Sequence, residues 1–289
     1  MSVARGFVVW ALKVKNLKSS TVKTYISSLK LAHTLRNMAC CNFLNDDIIK
    51  MSLKGAENLE CMLGQTSVVR APISMNVLQI IGHRIAEKNW KIFSKQIIWT
   101  VCLINFFTAC RTGELLSPTE NTFDKHTTLL WKHITIFGHY ATIFVPFTKT
   151  KGFKGHTLEI FPFPVDSCCP FSALKNLEKM AKNYGIWDEN LPVFSFLSGK
   201  FLTTRKMNEI LDNTLSDITA GKSIKYTCHS FRAAIPSLIS NHPDKNYVAD
   251  ILEWGDWNSP TWKIYAKSSH SRKKFLFDKV SNVLCNTLK

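Results

Sequence analysis

Acidic residues are scarce in this chain. Asp and Glu total 21 against 37 Lys and Arg in 289 residues, a formal charge of +16. No acidic block offsets the surplus, so the composition points to a polyanionic partner, either nucleic acid or an anionic membrane surface. A long apolar run is missing too. The most apolar stretch, Ile97 to Cys110, is broken by Asn105 and bounded by Lys95 and Arg111. It falls short of the ~20 residues that span a bilayer and is expected as a buried core helix, which excludes membrane insertion. No apolar run follows the first N-terminal charges, so no secretory signal is expected. The nine cysteines include the adjacent pairs Cys40-Cys41 and Cys168-Cys169 but no CxxC, so zinc-ligand spacing is absent. A reduced, intracellular protein without a metal site is expected. Glycine-rich phosphate loops, internal repeats and low-complexity tracts are also lacking, which argues against a nucleotide-hydrolysing enzyme.

What is present is globular: 45% hydrophobic and 20% charged residues exclude a disordered or collagenous chain. The first 65 residues read as helices and carry nine basic against four acidic side chains. Ser19-Ser20-Thr21 offers an N-cap for a helix with Val22, Tyr25, Ile26, Leu29 and Ala32 at helical spacing. Asn45-Asp46-Asp47 can cap the next, which carries Ile48, Ile49, Met51 and Leu53. Gly64 to Ser67 followed by Arg70-Ala71-Pro72 marks a linker over 66–72. Helices are expected at 74–89 and 91–110. Residues 126–137, 140–148 and 157–163, rich in Thr, Ile, Phe and Val, then read as a three-stranded antiparallel meander. Helices follow at 170–184, 203–218, 228–240, 245–254, 260–267 and 271–286, with Pro236 expected to bend or interrupt the third of these. The fold class is mainly α with a small antiparallel β-sheet (α+β): a helical domain over 1–65, the linker, and a larger domain over 73–289.

Two arginines stand in suggestive settings. Arg111 follows the apolar helix in Cys110-Arg111-Thr112-Gly113-Glu114, and His229-Ser230-Phe231-Arg232 puts a histidine and an arginine on one helical face at i, i+3. Arginine is the rarer cation here, 8 against 29 Lys, and its planar fork is suited to gripping two phosphate oxygens. Each piece also has a plain structural reading: Arg111 as a cap paired to Glu114, and Tyr265 as a half-buried helix tyrosine anchored by its hydroxyl.

The order of the pieces is more specific. Arg111 is followed by Lys149 in Thr148-Lys149-Thr150-Lys151-Gly152, then by His229 and Arg232, then by Trp254-Gly255-Asp256-Trp257-Asn258-Ser259 and Tyr265. Over residues 105–267 this series resembles the tyrosine recombinase/integrase family, whose site is built from Arg, Lys, HxxR, a His or Trp, and a nucleophilic Tyr. The wording His-Ser-Phe-Arg and Gly-x-Trp-x-Ser looks most like eukaryotic mobile-element recombinases of the Crypton and DIRS-like groups. The resemblance implies a core-binding domain (SAM-like) over 1–65 and a catalytic domain over 73–289. It further implies double-stranded DNA as partner, a homo-tetramer on DNA with the C-terminal helix docked on a neighbour, and a nuclear location in a eukaryote or a cytoplasmic one otherwise.

The chemistry is consistent with those residue types. A phosphodiester under attack gathers charge on its non-bridging oxygens, and fixed cations can meet that charge without a metal. Arg111 and Arg232 would clamp the phosphate, and Tyr265 would attack it to form a phosphotyrosyl bond that stores the energy for rejoining. Lys149, with Lys151 as its rival, would protonate the departing 5′ oxygen. His229 would relay the tyrosine proton, and Glu114 would orient Arg111. No metal, nucleotide or other cofactor is required. One departure stands out: nine residues before Tyr265, where the family has His or Trp, this chain has Asp256, with Trp257 one position later. A carboxylate facing the phosphate would repel it, so the alternative is a domesticated, catalytically impaired DNA-binding protein of the same fold. A type IB topoisomerase-like enzyme would share the chemistry without a site requirement.

Overall fold

The computed structural model describes residues 2–38, 43–64, 69–149, 152–235, 237 and 270–286. The chain divides into two compact units, Met1–Val68 and Val69–Lys289. In the small unit, helices α1 (Ser2–Lys13), α2 (Ser19–Leu35) and α3 (Asp47–Met62) enclose a core of Val8, Ala11, Val22, Ile26 and Ile49. Asp46 joins two of them. Its carboxylate accepts the N–H groups of Ile48 and Ile49 as the N-cap of α3, as expected, and also accepts Arg5 of α1 at 2.8 Å. The Arg5 guanidinium and these backbone donors hold the Asp46 carboxyl below its usual range. The expected cap of α2 differs. Ser19 is already helical, Lys18 takes the N-cap position without a side-chain bond, and the Ser19 N–H is met by Glu60 Oε1 at 2.6 Å. Of the spaced apolar residues on α2, Val22 and Ile26 are buried whereas Tyr25 and Leu29 are exposed.

The large unit is built around α5 (Ile92–Thr108), which is buried on every side from Ile97 through Thr108 apart from Trp99. A helix apolar all round belongs in a core, and its packing partners surround it. α4 (Met75–Glu87) lies on one flank, with Leu78, Ile81 and Ile85 buried. α7 (Pro170–Asn183) lies on another, where its Ala173 carbonyl accepts Gln96 Nε2 at 2.8 Å. The meander is β2 (Ile134–Ile136), β3 (Ala141–Val145) and β4 (His156–Ile160), antiparallel and in sequence order. Its inward residues Ala141, Ile143, Val145, Leu158 and Ile160 join the same core. The first strand is shorter than its composition suggests. Residues 126–133 form a loop and a single 3₁₀ turn, because Trp131 and Lys132 give their N–H groups to Leu191 and Glu189 instead of to a strand.

A second, two-stranded sheet was not foreseen. β1 (Val69–Arg70) runs parallel to β5 (Ile224–Lys225), and the ladder continues as Ala71 N–H to Lys225 O and Ile73 N–H to Ser230 O. The last part of the stretch expected as linker is thus built into the large unit. α6 (Thr112–Leu115), α8 (Thr204–Thr219), α9 (Cys228–Arg232) and α10 (His270–Asn286) complete the order. α9 is short: Ala233 caps it, although Ser237 N–H still reaches Ala233 O at 3.1 Å. Pro236 itself and the helices expected at 245–254 and 260–267 lie outside the described residues. On α10, Phe277, Val280 and Leu284 are buried in the chain's own core, with the Phe277 ring 5.5 Å from Phe161 and 5.9 Å from Phe107. Of the apolar stripe Phe275, Leu276, Val280 and Leu284, which could dock on a neighbour or pack within the chain, the two described side chains, Val280 and Leu284, pack within the chain. Among the described residues no helix is long and apolar enough to cross a membrane.

Candidate active site

α5 ends in a left-handed turn. Ala109 has φ 50° and ψ 22°, a conformation that costs a residue with a side chain about 1–2 kcal/mol. Local bonds hold it there. Thr108 Oγ1 donates to Ile104 O at 2.7 Å and accepts the Cys110 N–H at 3.3 Å, while the Cys110 thiol donates to Asn105 Oδ1 at 3.4 Å. The reversal turns the chain out of the core helix within two residues. It places Arg111 at the N-cap of α6 and leaves the Ala109 carbonyl to accept Arg232 Nη1 at 2.7 Å.

Glu114 grips Arg111 twice. Its Oε2 accepts the Arg111 backbone N–H at 3.2 Å, and its Oε1 accepts Nη1 at 2.9 Å. The carboxylate is buried while about a third of the Arg111 side chain stays exposed, 7% against 36%. A buried carboxylate with one cation and one backbone donor fixes the root and one edge of the guanidinium and leaves its other donors uncommitted to Glu114.

α9 brings the second arginine. Asn208 Oδ1 accepts the Cys228 N–H at 2.8 Å, and Ser230 Oγ accepts the Thr227 N–H at 3.1 Å, so its first turn is capped from α8 and from within. Thr112 Oγ1 donates to Cys228 O at 3.4 Å, tying α6 to α9. Cys228, Ser230 and Phe231 point into the core, which leaves His229 exposed and Arg232 half-buried. Burial pushes the thiols flanking the site upward, Cys110 to about 12 and Cys228 to about 11. Both stay protonated at neutral pH and add no charge beside the arginines.

Arg111, Glu114 and Arg232 thus meet on one turn, with His229 three residues before Arg232 on the same short helix. Lys149 is exposed on the β3–β4 hairpin, next to Thr148, which exchanges backbone hydrogen bonds of 3.1 and 2.8 Å with Gly152. Asp256, Trp257, Tyr265 and the rival Lys151 lie outside the described residues. Sequence reasoning missed the Ala109 carbonyl, Thr112 and Asn208. Thr108, a hydroxyl at the end of the apolar run, is the one sequence signal that could have marked a specific closing turn.

No protein-family model matches the chain, and no curated protein matches it. Solved structures do. The XerH site-specific recombinase bound to a palindromic difH substrate, a post-cleavage complex, aligns with a TM-score of 0.56 at 16% identity, over 97% of this chain and 71% of that one. The pre-cleavage XerH–difH complex gives 0.47 at 18% identity over 68% of this chain, which spans half of that protein's length. The Tn1549 transposon integrase with a circular intermediate DNA gives 0.49 at 14% identity, over 96% and 84%. At these identities the likeness is one of architecture, and the XerH post-cleavage complex carries it: the chain has the tyrosine-recombinase fold.

Proposed function

We propose that this chain is a site-specific DNA recombinase that cleaves and rejoins duplex DNA through a 3′-phosphotyrosyl intermediate, serving the integration or excision of a mobile element. The observation that carries the reading is the turn at Ala109–Glu114, which anchors Arg111 through Glu114 and Arg232 through the Ala109 carbonyl. Two arginines held by their own fixed partners are arranged before substrate arrives, and preorganised charge is what a phosphoryl transition state rewards. In this reading Arg111 and Arg232 bind the non-bridging oxygens and Glu114 positions Arg111. Lys149 swings from its hairpin to protonate the leaving 5′ oxygen. His229 relays the proton of Tyr265, the nucleophile, and Trp257 packs against the phosphate in place of Asp256. The enzyme needs no metal or cofactor and acts as a tetramer on DNA, in the nucleus of a Crypton- or DIRS-like element's host.

The test is covalent trapping. A pool of nicked duplexes, in which the short fragment bearing the freed 5′ hydroxyl diffuses away, should yield a protein–DNA adduct with the wild-type chain and none with Tyr265→Phe. Duplex binding without an adduct across the pool would favour the domesticated DNA-binding protein, the reading that Asp256 supports. Relaxation of supercoiled plasmid with no site requirement would favour a topoisomerase-like enzyme.

A further inference from the structure

The β3–β4 hairpin carries a feature that phosphate chemistry does not use. Phe153 is 70% exposed, and its ring lies 5.1 Å between centroids from the Phe147 ring. Its position is built. Gly152 and Gly155 on either side have φ of 59° and 56°, left-handed values that suit glycine, and the Gly155 N–H donates to the Gly152 carbonyl at 3.4 Å, so the chain turns at Phe153-Lys154. At Gly155 the conformation is also enforced by space. A Cβ there would lie 2.3 Å from the Val145 carbonyl oxygen and 2.8 Å from the Phe144 ring. The exposed ring is flanked by exposed Lys149 and Lys154. An exposed apolar ring with two exposed cations on the same hairpin matches a partner with a charged outside and a flat apolar inside. Duplex DNA has that layering, with phosphates outermost and base faces within.

From this we infer that Phe153 is an apolar wedge that inserts against the bases of bound DNA, while Lys149 and Lys154 hold the phosphates on either side. The inference rests on the DNA-processing reading above. The Thr148–Gly152 pair lies one residue from both Lys149 and Phe153, and a hydrogen-bonded antiparallel pair is ~5.5 Å across. At ~3.4 Å per base pair, a phosphate held by Lys149 leaves Phe153 within about four base pairs of it. The wedge would therefore deform the duplex close to the cut, at steps that unstack readily, and add sequence preference without hydrogen bonds to bases.

Salt dependence separates the two kinds of contact. The full chain is titrated with a ~30-bp mixed-sequence duplex at several salt concentrations, using the wild type, Phe153→Ala, Phe153→Trp and Lys154→Gln. Phe153→Ala is expected to weaken binding about tenfold at every salt with an unchanged slope of log K against log salt. Lys154→Gln is expected to lower that slope by about 0.9. Phe153→Trp should bind like the wild type, and its added emission should be quenched by DNA and shielded from acrylamide. Phe153→Ala binding as tightly as the wild type would overturn the inference, as would a change in self-association alone, which would make the ring a protein contact. Failure of the wild type to bind duplex DNA at all would instead overturn the reading beneath it.

Discussion

The guanidinium of Arg232 donates to the carbonyl oxygen of Ala109 at 2.7 Å, across 123 positions of sequence. That carbonyl is presented because Ala109 is left-handed, so the orientation of one proposed phosphate ligand depends on the backbone next to the other.

Arg232→Lys should separate binding from chemistry. Lysine has the charge but a single nitrogen in place of the planar fork, so it cannot keep the bond to Ala109 O and also present a bidentate edge to a phosphate. DNA affinity should change little, while the rate of adduct formation falls about a hundredfold to a thousandfold, the usual effect of losing one preorganised donor. Single-turnover trapping beside a filter-binding titration would show whether the two part.

Substitutions at Glu114 should affect stability and adduct formation together. Glu114→Gln retains an acceptor for the Arg111 N–H and should cost about 1 kcal/mol. Glu114→Ala leaves two donors unmet and should cost about 2–3 kcal/mol, since one of the donors is charged. Urea denaturation would order the variants, and adduct yield should fall in the same order.

The hairpin tip should be intolerant at one glycine. Gly155→Ala adds a Cβ against the Val145 carbonyl in a left-handed residue, so a loss of more than 2 kcal/mol is expected. Gly138, with open space around its missing Cβ and no positive φ, should accept alanine within about 0.5 kcal/mol. Thermal melts of the pair provide an internal control.

Cysteine chemistry should follow burial. With Cys110 at about 12, roughly one molecule in ten thousand carries that thiolate at pH 8, and Cys228 at about 11 is similarly inert. Exposed Cys61 should alkylate rapidly, and Cys110 and Cys228 only on unfolding. Both buried thiols are raised above the unfolded value of 9.0, so their contribution to stability is complete below pH 9. It is lost as pH rises from there toward 11–12. Unfolding free energy measured from pH 8 to 11 should decline, and less steeply in Cys110→Ala.

Much of this architecture could be read from residue pattern, and two of the exceptions share a cause. α5 was legible because Ile97 to Cys110 is apolar on every face, and the meander because turn residues such as Gly138-His139 punctuate β-branched runs. HxxR was legible as a spacing. The cap of α2 was not, since Glu60 supplies it from 41 residues away. Neither was the fate of residues 126–133, whose backbone pairs with Glu189, Leu191 and Val193 rather than with a strand. Propensity sees neighbours; it does not see which distant carbonyl will claim an N–H. The Ala109 turn is a separate case: its bonds are local, and an alanine gives no sign of positive φ in sequence.

The short parallel ladder from Val69 to Ile73 fixes where this chain can be cut. Its bonds end on Lys225 and Ser230, so the backbone that opens the large unit is stitched to the first turn of the helix carrying His229 and Arg232. A fragment beginning at Met75 would keep every helix around α5 and still lose the seam, leaving the carbonyls of Lys225 and Ser230 open. One beginning at Val68 would retain it. The working boundary of the large unit is set by that seam, several residues upstream of its first helix.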